Sequence, residues 1–258
     1  MLFFPRRWGK QLLGAVTFYT RIPLPHHWPM SFVGIARFAP VVGMGIGGIL
    51  AGVDLGLTLL MVPVATRSGL LVALWLWLTG GLHLDGAMDT ADGLSVPDST
   101  RRLAVMADSR TGAFGVMTAI LILGLKAFCL MDLATLRWVS LPLVAAWGRW
   151  GQVVAIARYP YLRPGGKGAL HKDHAQTATD WLWGFVPLLA MTGAAMAIAP
   201  ADRSWLVAVT LSGIGVAVGT GAWLQRELGG QTGDTYGAIV ESTETLLLCS
   251  MVVMQSWL

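Results

Sequence analysis

The stretch "LLVALWLWLTGGLHLDGAMDTADGL" covers residues 70–94 and joins an apolar run to three carboxylates. Its first ten residues carry no charge; two glycines follow, and then Asp85, Asp89 and Asp92. A run this apolar, in a chain of this composition, indicates a membrane-spanning helix. The sequence therefore predicts three acidic groups at the end of a membrane span.

The rest of the chain is similarly apolar. Of its 258 residues, 55% are hydrophobic and 12% are charged, and the mean hydropathy is +0.62. Soluble domains carry about 25% charged residues, so we expect an all-α, polytopic transmembrane helical bundle in which residues 1–258 form one integral-membrane domain. A segment at 10–20 is too short to cross and is expected to be an interfacial or re-entrant helix. About seven spans are predicted, at 39–62, 69–84, 112–132, 138–157, 181–199, 204–224 and 236–257.

Basic residues are distributed unevenly over the predicted loops. With a cytoplasmic N-terminus, thirteen of the 18 lysines and arginines fall in cytoplasmic segments and three in outer segments. Cytoplasmic loops carry this excess, so we expect the polar loops 85–111, 158–180 and 225–235 to face the cytoplasm. The net charge of +4 is mild and gives no indication of nucleic-acid binding.

Two features of the spans predict helix packing. Gly48, Gly52 and Gly56 recur every four residues in the first span, which favours close approach of another helix. Cys129 and Cys249 both fall in spans and are expected to be apolar packing residues, not a disulfide or a metal pair.

The three aspartates need a counterion or protons. On a continued helix they lie at i, i+4 and i+7 and share one face. Carboxylates about 5–6 Å apart repel by roughly 3 kcal/mol at an effective dielectric of about 20. Oxygen ligands beside phosphates favour Mg²⁺, with Mn²⁺ as a substitute. A solvated acidic loop and a proton or cation relay are the alternatives.

Three further groups of residues are candidates for chemistry. His83 abuts Asp85 and suits proton transfer, a phosphate contact or a buried hydrogen bond. In "ADSRTGAFG" (107–115), Asp108 and Arg110 precede a glycine-flanked helix start, where phosphate binding or a simple ion pair is expected. The turn "GGQTGDTYGA" (229–238) carries Gln231 and Asp234. Charges inside predicted spans either line a polar site or pair with one another; they are Lys126, Arg149, Glu241 and Glu244.

Several motifs occur together in a known order. They are "TRIPLP" (20–25), "FAPVVGMGIGG" (38–48), "TGGLHLDGAMDTADGL" (79–94), "MADSRTGAFG" (106–115) and "GGQTGDTYGA" (229–238), followed by two glutamates. From about residue 17 to the C-terminus, the chain resembles the cobalamin synthases, the adenosylcobinamide-GDP ribazoletransferase family. The loop 158–180, with Lys167 and His171, matches that family only loosely.

The resemblance implies a multi-pass enzyme of the cell inner membrane with its catalytic site on the cytoplasmic side. In the implied reaction, a hydroxyl of α-ribazole or its 5′-phosphate attacks the cobinamide-linked phosphorus of adenosylcobinamide-GDP. GMP leaves, and adenosylcobalamin or its 5′-phosphate forms. The resemblance implies magnesium as cofactor. Membrane lipid is an expected partner, and the sequence leaves a homo-oligomer open.

Chemistry and motif position together assign expected roles. The metal ligands are Asp85, Asp89, Asp92 and Asp108. The catalytic residues are Asp92, Asp89 and His83, with Asp92 favoured as the base for the attacking hydroxyl. The substrate-binding residues are Arg110, Arg149, Lys126, Gln231, Asp234, Glu241 and Glu244.

Two other classes of membrane protein use similar residues. A CDP-alcohol phosphotransferase would perform the same chemistry on a lipid, but its pattern has an arginine after the first alanine and a different aspartate spacing. An ion-coupled transporter would distribute polar residues across the membrane, whereas here they concentrate on one side.

Overall fold

The computed structural model describes residues 6–25, 27–133, 136–163 and 180–255. In this part of the chain it contains helices and one isolated β-bridge, which joins Tyr161 and Gln231, so the all-α prediction is confirmed. The helices are α1 (Arg6–Tyr19), α2 (Ala39–Leu59), α3 (Val64–Thr79), α4 (Leu82–Leu94), α5 (Arg102–Met106), α6 (Ala113–Asp132), α7 (Arg137–Arg158), α8 (Asp180–Ile198), α9 (Arg203–Leu228) and α10 (Gly233–Gln255). Short 3₁₀ turns precede α2, α5 and α9 at Ile35–Phe38, Ser99–Arg101 and Pro200–Asp202.

The lengths and compositions of the helices identify a multi-pass membrane protein. Among the described residues, five helices are long and apolar enough to cross a membrane, with α2 and α9 counted together with the 3₁₀ turns before them. The pair of α3 and α4 adds a sixth candidate if it is one broken span. The prediction of seven spans therefore stays a prediction, since α7 lies at 137–158 as expected but is not among these candidates.

The position of α7 explains its polarity. It packs against α2, α8, α9 and α10, and nearly all of its side chains are buried by other helices. Because protein and not lipid surrounds it, α7 can carry Ser140, Gly148, Arg149 and Gln152, which lower its hydropathy.

Close packing of α2 on α7 depends on two glycines that the sequence analysis did not select. A Cβ at Gly43 or Gly47 would overlap the α7 backbone at Ala145 or Leu141. By contrast, no heavy atom of a described residue lies within 4 Å of a Cβ built at Gly48, Gly52 or Gly56. The predicted close approach at Gly48, Gly52 and Gly56 is therefore wrong for this chain, because those glycines lie on a face of α2 turned away from α7.

The N-terminal helix is present and short. The helix α1 has 14 residues, so at about 1.5 Å per residue it is too short to cross a bilayer. It packs against the 3₁₀ turn Ile35–Phe38, and Gln11 donates a hydrogen bond to the carbonyl of Val33 at 2.7 Å. A short helix at this place was expected; its position relative to the membrane stays a prediction.

A buried ion cluster joins α2, α3 and α7 at the first turns of α3. Asp54 accepts bonds from Arg137 at 2.8 and 2.9 Å and pairs with Arg67 at 2.9 Å. Arg137 also donates to Ser68 and to the carbonyl of Leu130. These contacts fasten the three helices together at the end of α3 opposite to α4.

Candidate active site

A sharp bend separates the aspartates from the apolar run. Gly80 and Gly81 have φ values of +63° and +72°, a left-handed conformation that favours glycine. The chain turns by 90° between α3 and α4. The aspartates thus share one helix, as predicted, but α3 ends at Thr79 and α4 is a separate helix, too short to span on its own.

Two glycines bring α4 against the start of α10. A Cβ at Gly86 would lie 2.6 Å from the carbonyl oxygen of Asp234, and one at Gly237 would lie 2.7 Å from that of His83. Neither position therefore tolerates a side chain without movement of the backbone. The motifs at 79–94 and 229–238, which are far apart in sequence, meet through these glycines and form one site.

The three aspartates of α4 lie in different surroundings. Asp85 is exposed and Asp89 is half-buried, and neither makes a hydrogen bond or ion pair with another described residue. Asp92 is only 8% exposed. Its carboxylate accepts the backbone N–H groups of Gly112 at 2.7 Å and Gly115 at 2.8 Å, so it caps the first turn of α6.

Asp108 is occupied by a neighbour in the loop before α6. Arg110 donates to its carboxylate through Nη2 at 2.6 Å and through its own backbone N–H at 3.0 Å. These hydrogen bonds lower the pKa of Asp108 to about 2. The Arg110 side chain is 88% exposed, so this pair lies at the surface, where the alternative of a simple ion pair fits the geometry.

The four predicted metal ligands do not form a preassembled cluster. Among the described residues, no three histidine, cysteine, aspartate or glutamate side chains are grouped so that they could hold a metal ion. Asp85 and Asp89 have free carboxylates, whereas Asp92 and Asp108 already accept hydrogen bonds. The magnesium site stays a prediction.

A cavity of about 320 Å³ opens between α1, α4, α7 and α10, and we call it the α4–α10 cavity. Asp85 and Asp234 contribute charged groups to its wall, and His83 and Gln152 contribute polar groups. The remaining lining residues are Phe18, Leu82, Gly86, Gly233, Tyr236 and Gly237.

The carboxylate of Asp234 is paired. Arg163 donates to it at 2.8 Å and to the carbonyl of Leu103 at 2.7 Å. The segment before Arg163 is fixed by backbone bonds of Gln231 to Pro160 and Leu162, both 2.8 Å long. Gln231 is fully buried, and its side chain donates to the carbonyl of Gly221, so it supports this segment and does not line the cavity.

The four charges predicted inside spans form one buried network. Lys126 donates to Glu241 at 2.6 Å and to Glu244 at 2.5 Å, and Arg149 donates to Glu244 at 2.6 Å. Lys126 also lies 4.5 Å from the ring centre of Trp75. All four charges are thus paired with one another, which is the alternative to substrate binding given above.

The comparison with protein families identifies the chain. The model of cobalamin-5-phosphate synthase matches residues 11–252. The chain belongs to this family. The resemblance seen in the motifs is thereby confirmed over nearly the whole sequence.

Curated members of the cobalamin-5-phosphate synthase family are similar over their full length. The adenosylcobinamide-GDP ribazoletransferase of Trichormus variabilis is 50% identical over 243 residues, or 94% of this chain and 96% of that protein. The protein of the same name from Synechococcus elongatus is 51% identical over 252 residues, or 97% and 99%. A Prochlorococcus marinus protein of that name is 38% identical over 255 residues, or 96% of each. No solved structure matches the chain.

In this member of the cobalamin-5-phosphate synthase family, the structure adds two residues that sequence reasoning did not select. Arg163 lies 71 positions before its partner Asp234, and Gln152 sits among apolar residues of α7. No local motif marks either residue, since only the packing of the chain brings Gln152 to the cavity and Arg163 to Asp234. Lys167 and His171, in the loop 158–180, lie outside the described residues.

Proposed function

We propose that this chain transfers the adenosylcobinamide phosphate group from adenosylcobinamide-GDP to α-ribazole or its 5′-phosphate. The acceptor hydroxyl oxygen forms a bond to the cobinamide-linked phosphorus, and the bond from that phosphorus to the GMP oxygen breaks. The products are adenosylcobalamin or its 5′-phosphate, and GMP. The names of the similar proteins support this reaction, and one structural observation carries it: Asp85 lines a cavity of ligand size without a partner, and the unpaired Asp89 follows one turn later on the same helix.

Magnesium, or manganese in its place, is part of this proposal. Mg²⁺ is commonly bound by one or two carboxylates together with substrate phosphates and water. Asp85 at the cavity and Asp89 one turn further along α4 fit that mode, because they offer two carboxylates without other partners among the described residues. When bound, the ion supplies positive charge opposite the diphosphate of the donor. Asp92 and Asp108 already accept hydrogen bonds from neighbouring residues, so they are weaker candidates as metal ligands.

The remaining roles follow from position. Asp85 lines the cavity, so it is placed to accept the proton of the attacking hydroxyl, whereas Asp92 has both carboxylate oxygens engaged. Arg110 lies two residues before Gly112, and its exposed side chain is available to a phosphate of the donor. Arg163 fixes Asp234 on the opposite wall. Arg149 is fully buried behind the cavity, which disfavours a direct phosphate contact.

We place the enzyme in the cell inner membrane with this site facing the cytoplasm. The excess of lysine and arginine in loops on the side of the site supports that orientation. The donor carries a charged diphosphate and the acceptor is a polar nucleoside or its phosphate, so both reach the site from an aqueous compartment. Contact with membrane lipid follows from the exposed apolar helices, and a homo-oligomer stays open.

The first test is GMP release by the purified protein in detergent. The reaction contains adenosylcobinamide-GDP, α-ribazole 5′-phosphate and either Mg²⁺, Mn²⁺ or a chelator. We expect GMP and a corrin spectrum of the base-coordinated form, both abolished by the chelator. A folded protein that releases no GMP with either metal would contradict the proposal; lipid acceptors and ion flux would then be measured.

A matched pair of variants tests the site. Asp89→Asn is expected to abolish GMP release, because it removes one of the two free carboxylates. Asp98→Asn changes an exposed aspartate that accepts hydrogen bonds only from Thr100 in the described structure, and it should keep full activity. Equal activity of the two variants would exclude Asp89 from the reaction.

A further inference from the structure

The walls of the α4–α10 cavity differ in chemistry. Asp85 and Asp234 contribute its charges, whereas Phe18, Leu82 and Tyr236 contribute aromatic and aliphatic surface. Its volume of about 320 Å³ lies at the small end of ligand sites. A cavity of this size admits a two-ring heterocycle with part of its sugar, but it excludes a corrin macrocycle.

His83 is the buried polar group of this cavity that lacks partners. It is 2% exposed, and neither Nδ1 nor Nε2 makes a hydrogen bond with a described residue. Its ring stacks on Tyr19, with 6.3 Å between ring centres and 20° between the planes. Leaving a buried donor or acceptor unsatisfied destabilises a protein, so a ring held in this way is suited to a hydrogen bond with a bound ligand.

Gln152 adds a second buried polar group on the same cavity. Its side chain interacts with Tyr19, the ring that stacks on His83, and its amide oxygen has no other partner in the described structure. Gln152 comes from α7 and His83 from α4, so two different helices direct polar groups to one small space. The aromatic surface of Phe18 and Tyr236 lines the same space.

We propose that the α4–α10 cavity binds the heteroaromatic base of the acceptor nucleoside, with His83 donating a hydrogen bond to its free ring nitrogen. This inference rests on the proposed function. The base of α-ribazole is dimethylbenzimidazole, which has one unsubstituted ring nitrogen and is otherwise apolar. One hydrogen-bond donor for that nitrogen and apolar, aromatic wall residues for the rest of the ring system are what this base requires. The ribose then extends toward Asp85, where the attacking hydroxyl is needed.

The guanine of the donor fits the same cavity less well. Guanine presents several donors and acceptors around both rings, and each needs a partner when it is buried. Asp85 is assigned to the attacking hydroxyl, and Asp234 is paired with Arg163. The remaining polar groups of His83 and Gln152 are too few for that edge, and the aliphatic side chain of Leu82 offers none. The cavity wall therefore favours dimethylbenzimidazole, which has a single ring nitrogen to satisfy, over guanine.

Binding measurements without turnover test the assignment. We expect His83→Phe, which keeps an aromatic ring but removes both nitrogens, to raise the Kd of α-ribazole about tenfold. The Kd of GDP should not change. His27→Phe, at an exposed loop position, is the matched control and should leave both values unchanged.

A change in the ligand identifies the atom that is recognised. The dimethylindole analogue of α-ribazole replaces the free ring nitrogen by a C–H group. The wild type should bind this analogue about tenfold more weakly than α-ribazole, whereas His83→Phe should bind the two compounds equally. Equal binding of both compounds by the wild type, or a rise in the Kd of GDP alone, would overturn the proposal.

A second variant covers the case in which His83→Phe fails to fold. Leu82 is 40% exposed, so Leu82→Trp can fill the cavity mouth with little strain. It should raise the KM for α-ribazole at least about tenfold and leave the KM for adenosylcobinamide-GDP unchanged. Turnover with an unchanged acceptor KM would refute the subsite and keep the proposed function; a wild type without turnover would instead refute the function.

Discussion

Two groups of charges in this protein were expected to act together, and the structure separates them. The first group, Lys126, Arg149, Glu241 and Glu244, is buried, and each carboxylate has a cation within 2.6 Å. The second group consists of Asp85, which lines the α4–α10 cavity, and Asp89, one turn further along α4, and neither has a partner among the described residues. Burying an ion is unfavourable unless it is paired, so the buried first group must pair internally, whereas the more exposed second group can remain unpaired and is available to a ligand.

The cluster at the other end of α3 supports this distinction. Asp54 there is balanced by Arg67 and Arg137, as the glutamates are balanced by Lys126 and Arg149. Paired charges thus occur where helices are fastened together. The carboxylates without partners lie at the α4–α10 cavity, in the case of Asp85, or one turn away from it, in the case of Asp89, which is where a charged substrate is expected.

The largest expected effect is on stability and comes from the paired network. Glu244→Ala leaves Lys126 and Arg149 with only Glu241 as a counterion in a buried site. Breaking a buried ion pair destabilises proteins by about 3–5 kcal/mol. Thermal unfolding of the protein in detergent should therefore begin at a much lower temperature than in the wild type.

A double variant that keeps the buried network electrically balanced tests whether charge pairing is what stabilises it. Lys126→Met/Glu241→Leu removes one charge of each sign and keeps the pair of Arg149 and Glu244. It should destabilise the protein clearly less than Glu244→Ala, because no charge is left alone. If the double variant were the less stable of the two, the network would be held by something other than its charge balance.

The next effect is on activity and comes from the unpaired group. Asp85→Asn should lower kcat by about a hundredfold, a typical result of removing one group that acts on developing charge. The melting temperature should not fall, since Asp85 has no partner to lose in the described structure. A loss of stability with little loss of activity would reverse the distinction drawn between the two groups.

A smaller effect is expected at the contact between α4 and α10. Gly86→Ala places a methyl group against the backbone of Asp234, and such overpacking costs about 1–3 kcal/mol. Gly48→Ala is the matched control on α2, where a Cβ meets no described atom within 4 Å. Equal melting temperatures of these two variants would show that the close packing at Gly86 is dispensable.

The smallest effect is expected at Asp108. Its pair with Arg110 lies at the surface, and exposed ion pairs contribute little. Asp108→Asn should leave the melting temperature unchanged and alter GMP release by no more than about twofold. A large fall in activity with a raised requirement for Mg²⁺ would instead assign Asp108 to the metal.

Most of the helices could be predicted from the apolar runs alone. The span predicted at 138–157 matches α7 at Arg137–Arg158, and that at 181–199 matches α8 at Asp180–Ile198. The span predicted at 69–84 was misplaced, because Leu82 and Leu84 continue the apolar run beyond the end of α3. The glycine pair at 80–81 was the available signal for a break.

The partners of the site residues could not be predicted in the same way. The spacing of Asp85, Asp89 and Asp92 placed them on one helix, which the structure confirms. The spacing does not show which residues contact each carboxylate. Asp92, for example, accepts a hydrogen bond from Gly112, 20 residues further along the chain. Asp234 and Arg163 likewise meet only through folding.

The cap formed by Asp92 has a consequence for how anions are received. The first turn of α6, with its free N–H groups, is the sort of helix end that attracts phosphate. In this protein a carboxylate of the chain itself already sits there, bonded to Gly112 and Gly115. Because Asp92 occupies the N-terminus of α6, a phosphate group of a nucleotide cannot bind there. The phosphates of a nucleotide must therefore find positive charge elsewhere, at exposed side chains such as Arg110.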